Sequence, residues 1–97
     1  MMYKLGIKFT GPVLDLKIEL EGHEIGLYFD GISEWSRTLE LFEIDGELDL
    51  VILCKGVNGT AWHFEIKVDD KGPVKYTGKI KKGYSLLSDK ITVPLQQ

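Results

Sequence analysis

Three consecutive stretches of this chain alternate apolar and polar residues with a period of two, and that pattern restricts the possible folds more than any other feature. Leu48, Leu50, Ile52 and Cys54 alternate with Asp49, Val51, Leu53 and Lys55. Trp62, Phe64, Ile66 and Val68 alternate with Ala61, His63, Glu65 and Lys67. Val74, Tyr76, Gly78 and Ile80 alternate with Lys75, Thr77, Lys79 and Lys81. A period of two buries one face and solvates the other, as in an antiparallel sheet, whereas a helix would scatter the apolar set around its axis.

The intervening residues read as turns. Val57-Asn58-Gly59 predicts a hairpin closed by a glycine bulge, which pairs Cys54 with Trp62 and Ile52 with Phe64. Asp69-Asp70-Lys71-Gly72-Pro73 holds residues that tolerate turn dihedrals. Pairing Val68 with Val74 across it sets Phe64 over Gly78, an aromatic covering a strand glycine. The same register places Lys67 beside Lys75, Glu65 beside Thr77 and His63 beside Lys79. A slip of one residue would expose the whole apolar set, so inside and outside are strongly specified.

The first half reads in the same way. Tyr3, Leu5, Ile7 and Phe9 form one strand, ended by Gly11-Pro12, and Leu14, Leu16, Ile18 and Leu20 form a second. Gly22-His23-Glu24 is a turn, followed by a third strand through Ile25, Leu27 and Phe29. Residues 32–43 fit a helix through Ile32, Trp35, Leu39 and Phe42, or a strand through Trp35, Arg37, Leu39 and Leu41 with Arg37 on the apolar side. The surrounding strand density favours the strand. Asp45-Gly46 makes a turn. Gly83 to Asp89 reads as a loop, and Ile91, Val93 and Leu95 as a final strand whose Pro94 suggests an edge. Seven or eight short strands at ten-residue spacing predict a single all-β domain over 1–97. The expected architecture is an antiparallel two-sheet sandwich of immunoglobulin-like or transthyretin-like character, with a small closed barrel as the alternative.

Composition narrows the class of function. An apolar content of 43% supplies one core. The single cysteine allows no intrachain disulfide, and no signal-like segment is apparent, so a cytoplasmic protein is expected. No stretch approaches the length of a membrane span. The net charge of −3 argues against general nucleic-acid binding. That charge is divided unevenly, −7 over residues 1–50 and +4 over residues 51–97. Such asymmetry either neutralises itself within the fold or favours association with a partner or a second copy.

No catalytic or cofactor motif stands out, so the chain reads as a non-enzyme without cofactor or metal. His63 lies on a polar strand face, while Cys54 points to the opposite face as a buried hydrophobe, so the two make no nucleophile–base pair. His23 stands alone. Asp45, Glu47 and Asp49 are spaced to share a strand face but lack a calcium-loop pattern. Lys67, Lys75, Lys79 and Lys81 form a lysine face whose neighbouring aromatics point inward, the wrong side for stacking bases. Trp35, if it lies outside the core, could act as a stacking platform for a sugar, with Tyr28 or Tyr84 lining a pocket. The expected function is therefore a β-sandwich interaction module acting through protein–protein contacts, including self-association. Binding of a small ligand or carbohydrate is the alternative.

Overall fold

A computed structural model describes residues 1–95. The chain forms nine strands: β1 (Met2–Thr10), β2 (Asp15–Leu20), β3 (His23–Ile25), β4 (Tyr28–Phe29), β5 (Glu34–Glu43), β6 (Glu47–Lys55), β7 (Ala61–Val68), β8 (Lys71–Lys79) and β9 (Tyr84–Thr92). They pair into a five-stranded sheet A, ordered β4-β5-β1-β7-β8, and a four-stranded sheet B, ordered β3-β2-β6-β9. Each strand pairing is antiparallel. The two sheets face each other as a sandwich rather than closing into a barrel.

The inward set is the one that alternation selects. Tyr3, Leu5, Ile7 and Phe9 of β1, Leu48, Leu50, Ile52 and Cys54 of β6, and Trp62, Phe64, Ile66 and Val68 of β7 are all buried. Residues 34–43 form a strand, as expected. Trp35, Arg37 and Leu39 of β5 oppose Phe9, Ile7 and Leu5. A bulge then sets Glu40 and Leu41 against Lys4, which turns Leu41 outward and Phe42 inward. Arg37 is tolerated on the inner side because its Nη1 donates to the Gly26 carbonyl at 2.7 Å and its guanidinium lies 5.6 Å from the Tyr28 ring centre. It thereby spans the open side of the sandwich between β3 and β5.

The pairings differ from expectation in several places. β6 and β7 lie in different sheets, so Cys54 does not pair with Trp62, nor Ile52 with Phe64. Gly59 has the left-handed backbone that its turn requires (φ 88°), but the turn carries the chain from one layer to the other. Alternation cannot tell these cases apart, because both leave the same residues inside. Between β7 and β8 the turn is only Asp69-Asp70, both with positive φ, as in a two-residue hairpin. Gly72 and Pro73 belong to β8 as a bulge opposite Lys67, on an edge strand where a proline is accommodated. The register is consequently shifted by two: Ile66 faces Val74, Phe64 faces Tyr76 and Trp62 faces Gly78. The aromatic covering Gly78 is thus Trp62, not Phe64. On the outer side Glu65 faces Lys75 and His63 faces Thr77.

Three further segments are corrected. The expected third strand is split into β3 in sheet B and β4 in sheet A, because the chain changes layers at Gly26 and Leu27. Its turn is Glu21-Gly22, with positive φ at both residues, so His23 and Glu24 are in the strand. Leu14 precedes β2 and is exposed. Residues 84–89, expected as a loop, are most of β9: Leu86 and Leu87 are both apolar, which hid the alternation. Val93 and Leu95 follow that strand. In each sheet the strands of the acidic half are grouped and adjoin those of the basic half, β4, β5 and β1 beside β7 and β8 in sheet A, and β3 and β2 beside β6 and β9 in sheet B, which places the two halves side by side within one molecule.

The close fit of Trp62 over Gly78 gives a direct test. A Cβ at Gly78 would lie 2.4 Å from Trp62 Cζ2, against a ring that is itself fully buried. Gly78→Ala is expected to lower unfolding free energy by about 2–3 kcal/mol in urea titrations. Gly6→Ala, whose Cβ meets nothing closer than Lys67 Cβ at 3.9 Å, is expected to stay within about 0.5 kcal/mol of wild type.

Candidate functional site

The outer face of sheet A gathers polar residues from four adjacent strands into rows set by the register. Thr38, Gly6 and Lys67 form one row, and Ser36, Lys8, Glu65 and Lys75 the next. Glu34, Thr10, His63 and Thr77 form a third, and Ala61 pairs with Lys79 beyond it. The small residues in the middle leave a furrow. One part, about 480 Å³, is floored by Gly6 and walled by Tyr28, Ser36, Thr38, Glu65 and Lys67. It continues past Lys8 and Glu65 into a depression of about 210 Å³ beside Thr10, His63, Lys75 and Thr77.

Lys8 is held by Glu34 at 3.4 Å and Lys4 by Asp70 at 3.7 Å. Among the described residues, Lys67, Lys75, Lys79 and Lys81 have no acidic group within ion-pair distance. Lys67, Lys75 and Lys79 share this face on β7 and β8, while Lys81 lies just beyond β8, bridged to Tyr84. Glu65 stands between Lys8 and Lys75 across the strands, so the face is cationic toward β8 and mixed toward β5. Tyr28, 73% exposed, is its exposed aromatic wall.

Trp35 is not part of this face. It points inward, stacked on Phe29 with ring centres 4.2 Å apart and edge-on to Phe9 at 5.7 Å. Tyr84 lies on the outer side of sheet B, half exposed. The pocket imagined from Trp35, Tyr28 and Tyr84 is therefore not assembled, and Tyr28 alone lines the furrow. Its floor, Gly6 with Ser36 and Thr38, has no sequence signal of its own. It exists because β1 and β5 become neighbours of β7.

The other candidates separate. His63 lies between Thr10 and Thr77, and His23 pairs with Leu20 in sheet B. Cys54 is buried in sheet B, opposite Leu16 and Ser85, and burial pushes its thiol up to about 11. Glu47 and Asp49 share the outer side of β6, where Asp49 is 3.9 Å from Lys90, and Asp45 lies in the preceding turn. No group of metal-ligating side chains assembles among the described residues. The Asp30 carboxylate closes a turn by accepting from Ile32, Ser33 and Glu34 N–H at 2.7–3.1 Å, which lowers its pKa.

One polar contact was not legible in the sequence. The Tyr76 hydroxyl of β8 donates to Asp89 Oδ2 of β9 at 2.8 Å, joining the two sheets at their shared edge. Burial, and then this bond, hold the phenol proton above its ordinary range, and the same bond lowers the Asp89 carboxyl.

No family model matches the chain, and no curated protein or solved structure matches it. The furrow is accordingly read from its own chemistry.

Two measurements follow from these side chains. The stability that Asp89 draws from Tyr76 is present above the ordinary carboxylate pKa and lost as pH falls through its lowered folded value. Tyr76→Phe should therefore destabilise most near neutral pH and converge on wild type in strong acid, as read from urea midpoints. Cys54 should react with a thiol reagent only at the rate of unfolding, so its labelling should accelerate in parallel with added denaturant.

Proposed function

We propose that this protein is a non-catalytic β-sandwich interaction module that engages an acidic protein surface through the outer face of sheet A. The observation that carries the reading is the trio Lys67, Lys75 and Lys79, projecting from adjacent strands without an acidic partner among the described residues. A sheet holds such ammonium groups at fixed spacing, so a complementary carboxylate array gains attraction without having to order the backbone. Long-range attraction also steers encounter and weakens with salt. Stacked bases are a poorer match, since Tyr28 is the one exposed ring walling the furrow.

A second reading has its own observation. The volume of about 480 Å³ beside Tyr28 lies next to the hydroxyls of Ser36 and Thr38 and the carboxylate of Glu65. That combination suits a sugar, which offers an apolar ring face and many hydroxyls. A glycan array probed with wild type and Tyr28→Ala distinguishes it: retention lost in the variant supports a carbohydrate ligand.

The first reading is tested with poly-L-glutamate as probe. Wild type should bind at low salt, and added salt should weaken the complex. The triple variant K67E/K75E/K79E should bind at least about tenfold more weakly while keeping the wild-type circular dichroism spectrum. Absence of binding at low salt, or binding unchanged in the triple variant, refutes it.

A further inference from the structure

Sheet B ends in β9, a nine-residue strand paired with β6 on one side and, on the other, met only at Tyr84 by Lys81. The other sheet edges are blunted in familiar ways. β3 has three residues and β4 two, β8 carries the Gly72-Pro73 bulge, and β5 is bulged at Glu40–Leu41 where it runs past β4. β9 has no proline and no register shift along its pairing with β6.

The direction of its free backbone groups can be deduced. Gly56 N–H donates to the Gly83 carbonyl on the β6 side, whereas Tyr84 exchanges bonds with Lys81 on the other side. Alternation along the strand then aims the N–H and C=O of Leu86, Ser88 and Lys90 away from β6, toward solvent. Leu86 is 61% exposed and faces Leu53 on the outer side of sheet B, next to half-buried Val51 and half-exposed Tyr84. An apolar strip thus runs up to the open edge. The one acid on the inner side of β9, Asp89, is bound by Tyr76 and does not project across the edge.

We propose that this edge pairs with β9 of a second copy, antiparallel about a two-fold axis at Leu87, joining the two B sheets into one continuous sheet. The edge's own residues select this register. Keeping inner and outer faces aligned requires the axis to pass through a residue. An axis at Leu86 sets Ser88 against Tyr84, whose backbone is already bound by Lys81, and an axis at Ser88 sets Asp89 against Leu87 and Lys90 against Leu86. An axis at Asp89 or Lys90 opposes like charges. An axis at Leu87 sets Leu87 against itself, Leu86 against Ser88 and Asp89 against the hydroxyl of Ser85, and the pairing stops short of Tyr84, whose edge is taken by Lys81. Leu86 and Ser88 then exchange their free backbone bonds, and the Leu53–Leu86 strip continues into the other copy. The contact is isologous and closes at a dimer. The lysine face of sheet A lies in the other layer and remains free.

The test combines cross-linking with the solution mass. Leu87 opposes itself as a non-hydrogen-bonded pair, with Cα atoms about 4.5 Å apart, a separation a disulfide can span. Leu87→Cys should form a disulfide-linked dimer on mild oxidation, while Ser85→Cys, which faces Asp89 of the other copy, should not link to itself. Cys54 is buried and adds no background. Sedimentation velocity over a concentration series should show wild type passing from monomer to dimer, and Leu86→Lys remaining monomeric with an unchanged circular dichroism spectrum. A wild type that is monomeric at every concentration overturns the proposal. So does a dimer that survives Leu86→Lys, a set of open polymers, or cross-linking that favours Ser85→Cys over Leu87→Cys.

Discussion

The structure hangs on one row of rings across the inner face of sheet A. Gly78 of β8 leaves the space that Trp62 of β7 fills, and Trp62 stacks on Phe9 of β1 at 5.5 Å. Phe9 meets the edge of Trp35 from β5 at 5.7 Å, and Trp35 stacks on Phe29 from β4 at 4.2 Å. Every strand of the sheet contributes one member. Each such ring pair adds about 0.5–1.5 kcal/mol beyond the area it buries, and it does so only at the right offset. Moving any one strand by two residues would keep its apolar side inside yet pull its ring out of the row. The row therefore fixes what alternation leaves open, and it gives the two-residue β4 an anchor that backbone bonds alone could not.

That distinction explains how much was legible beforehand. Whether a side chain faces in or out depends on parity, and parity is written in the sequence: Leu48 to Cys54, Trp62 to Val68, and the lysines at 67, 75 and 79 all lie on the side alternation assigns. Which strand lies next to which does not depend on parity. A hairpin from Cys54 to Trp62 and a crossing between layers bury the same residues, so the sequence could not choose between them. The two-residue turn at Asp69-Asp70 followed by a bulge preserves the same faces as a longer loop, so the register shifted by two without disturbing the core. β9 was missed for a different reason: Leu86 and Leu87 are apolar on both faces, one half-buried between the layers and one part of an outer strip.

The candidate site inherits the same limit. Its cations were visible because they follow parity on neighbouring strands of one hairpin. Its floor was invisible because Gly6, Ser36 and Thr38 come from β1 and β5, which join β7 only through pairings between distant parts of the chain. The Tyr76–Asp89 bond belongs to this class too, since it links strands from separate sheets. Features that depend on one hairpin could be read early, and features that depend on layer order could not.

The position of β1 has a consequence for how the chain comes to be folded. It sits at the centre of sheet A, flanked by β5 and β7. During synthesis its apolar side, Tyr3 to Phe9, is made long before either neighbour exists. β5 can cover one flank, but the other stays open until Ala61–Val68 has left the ribosome. β2 likewise waits for β6. Non-local closure of this kind is slow and leaves strand edges uncovered while the chain grows. The interval between making β1 and making β7 is thus the stage at which the centre of sheet A is least covered.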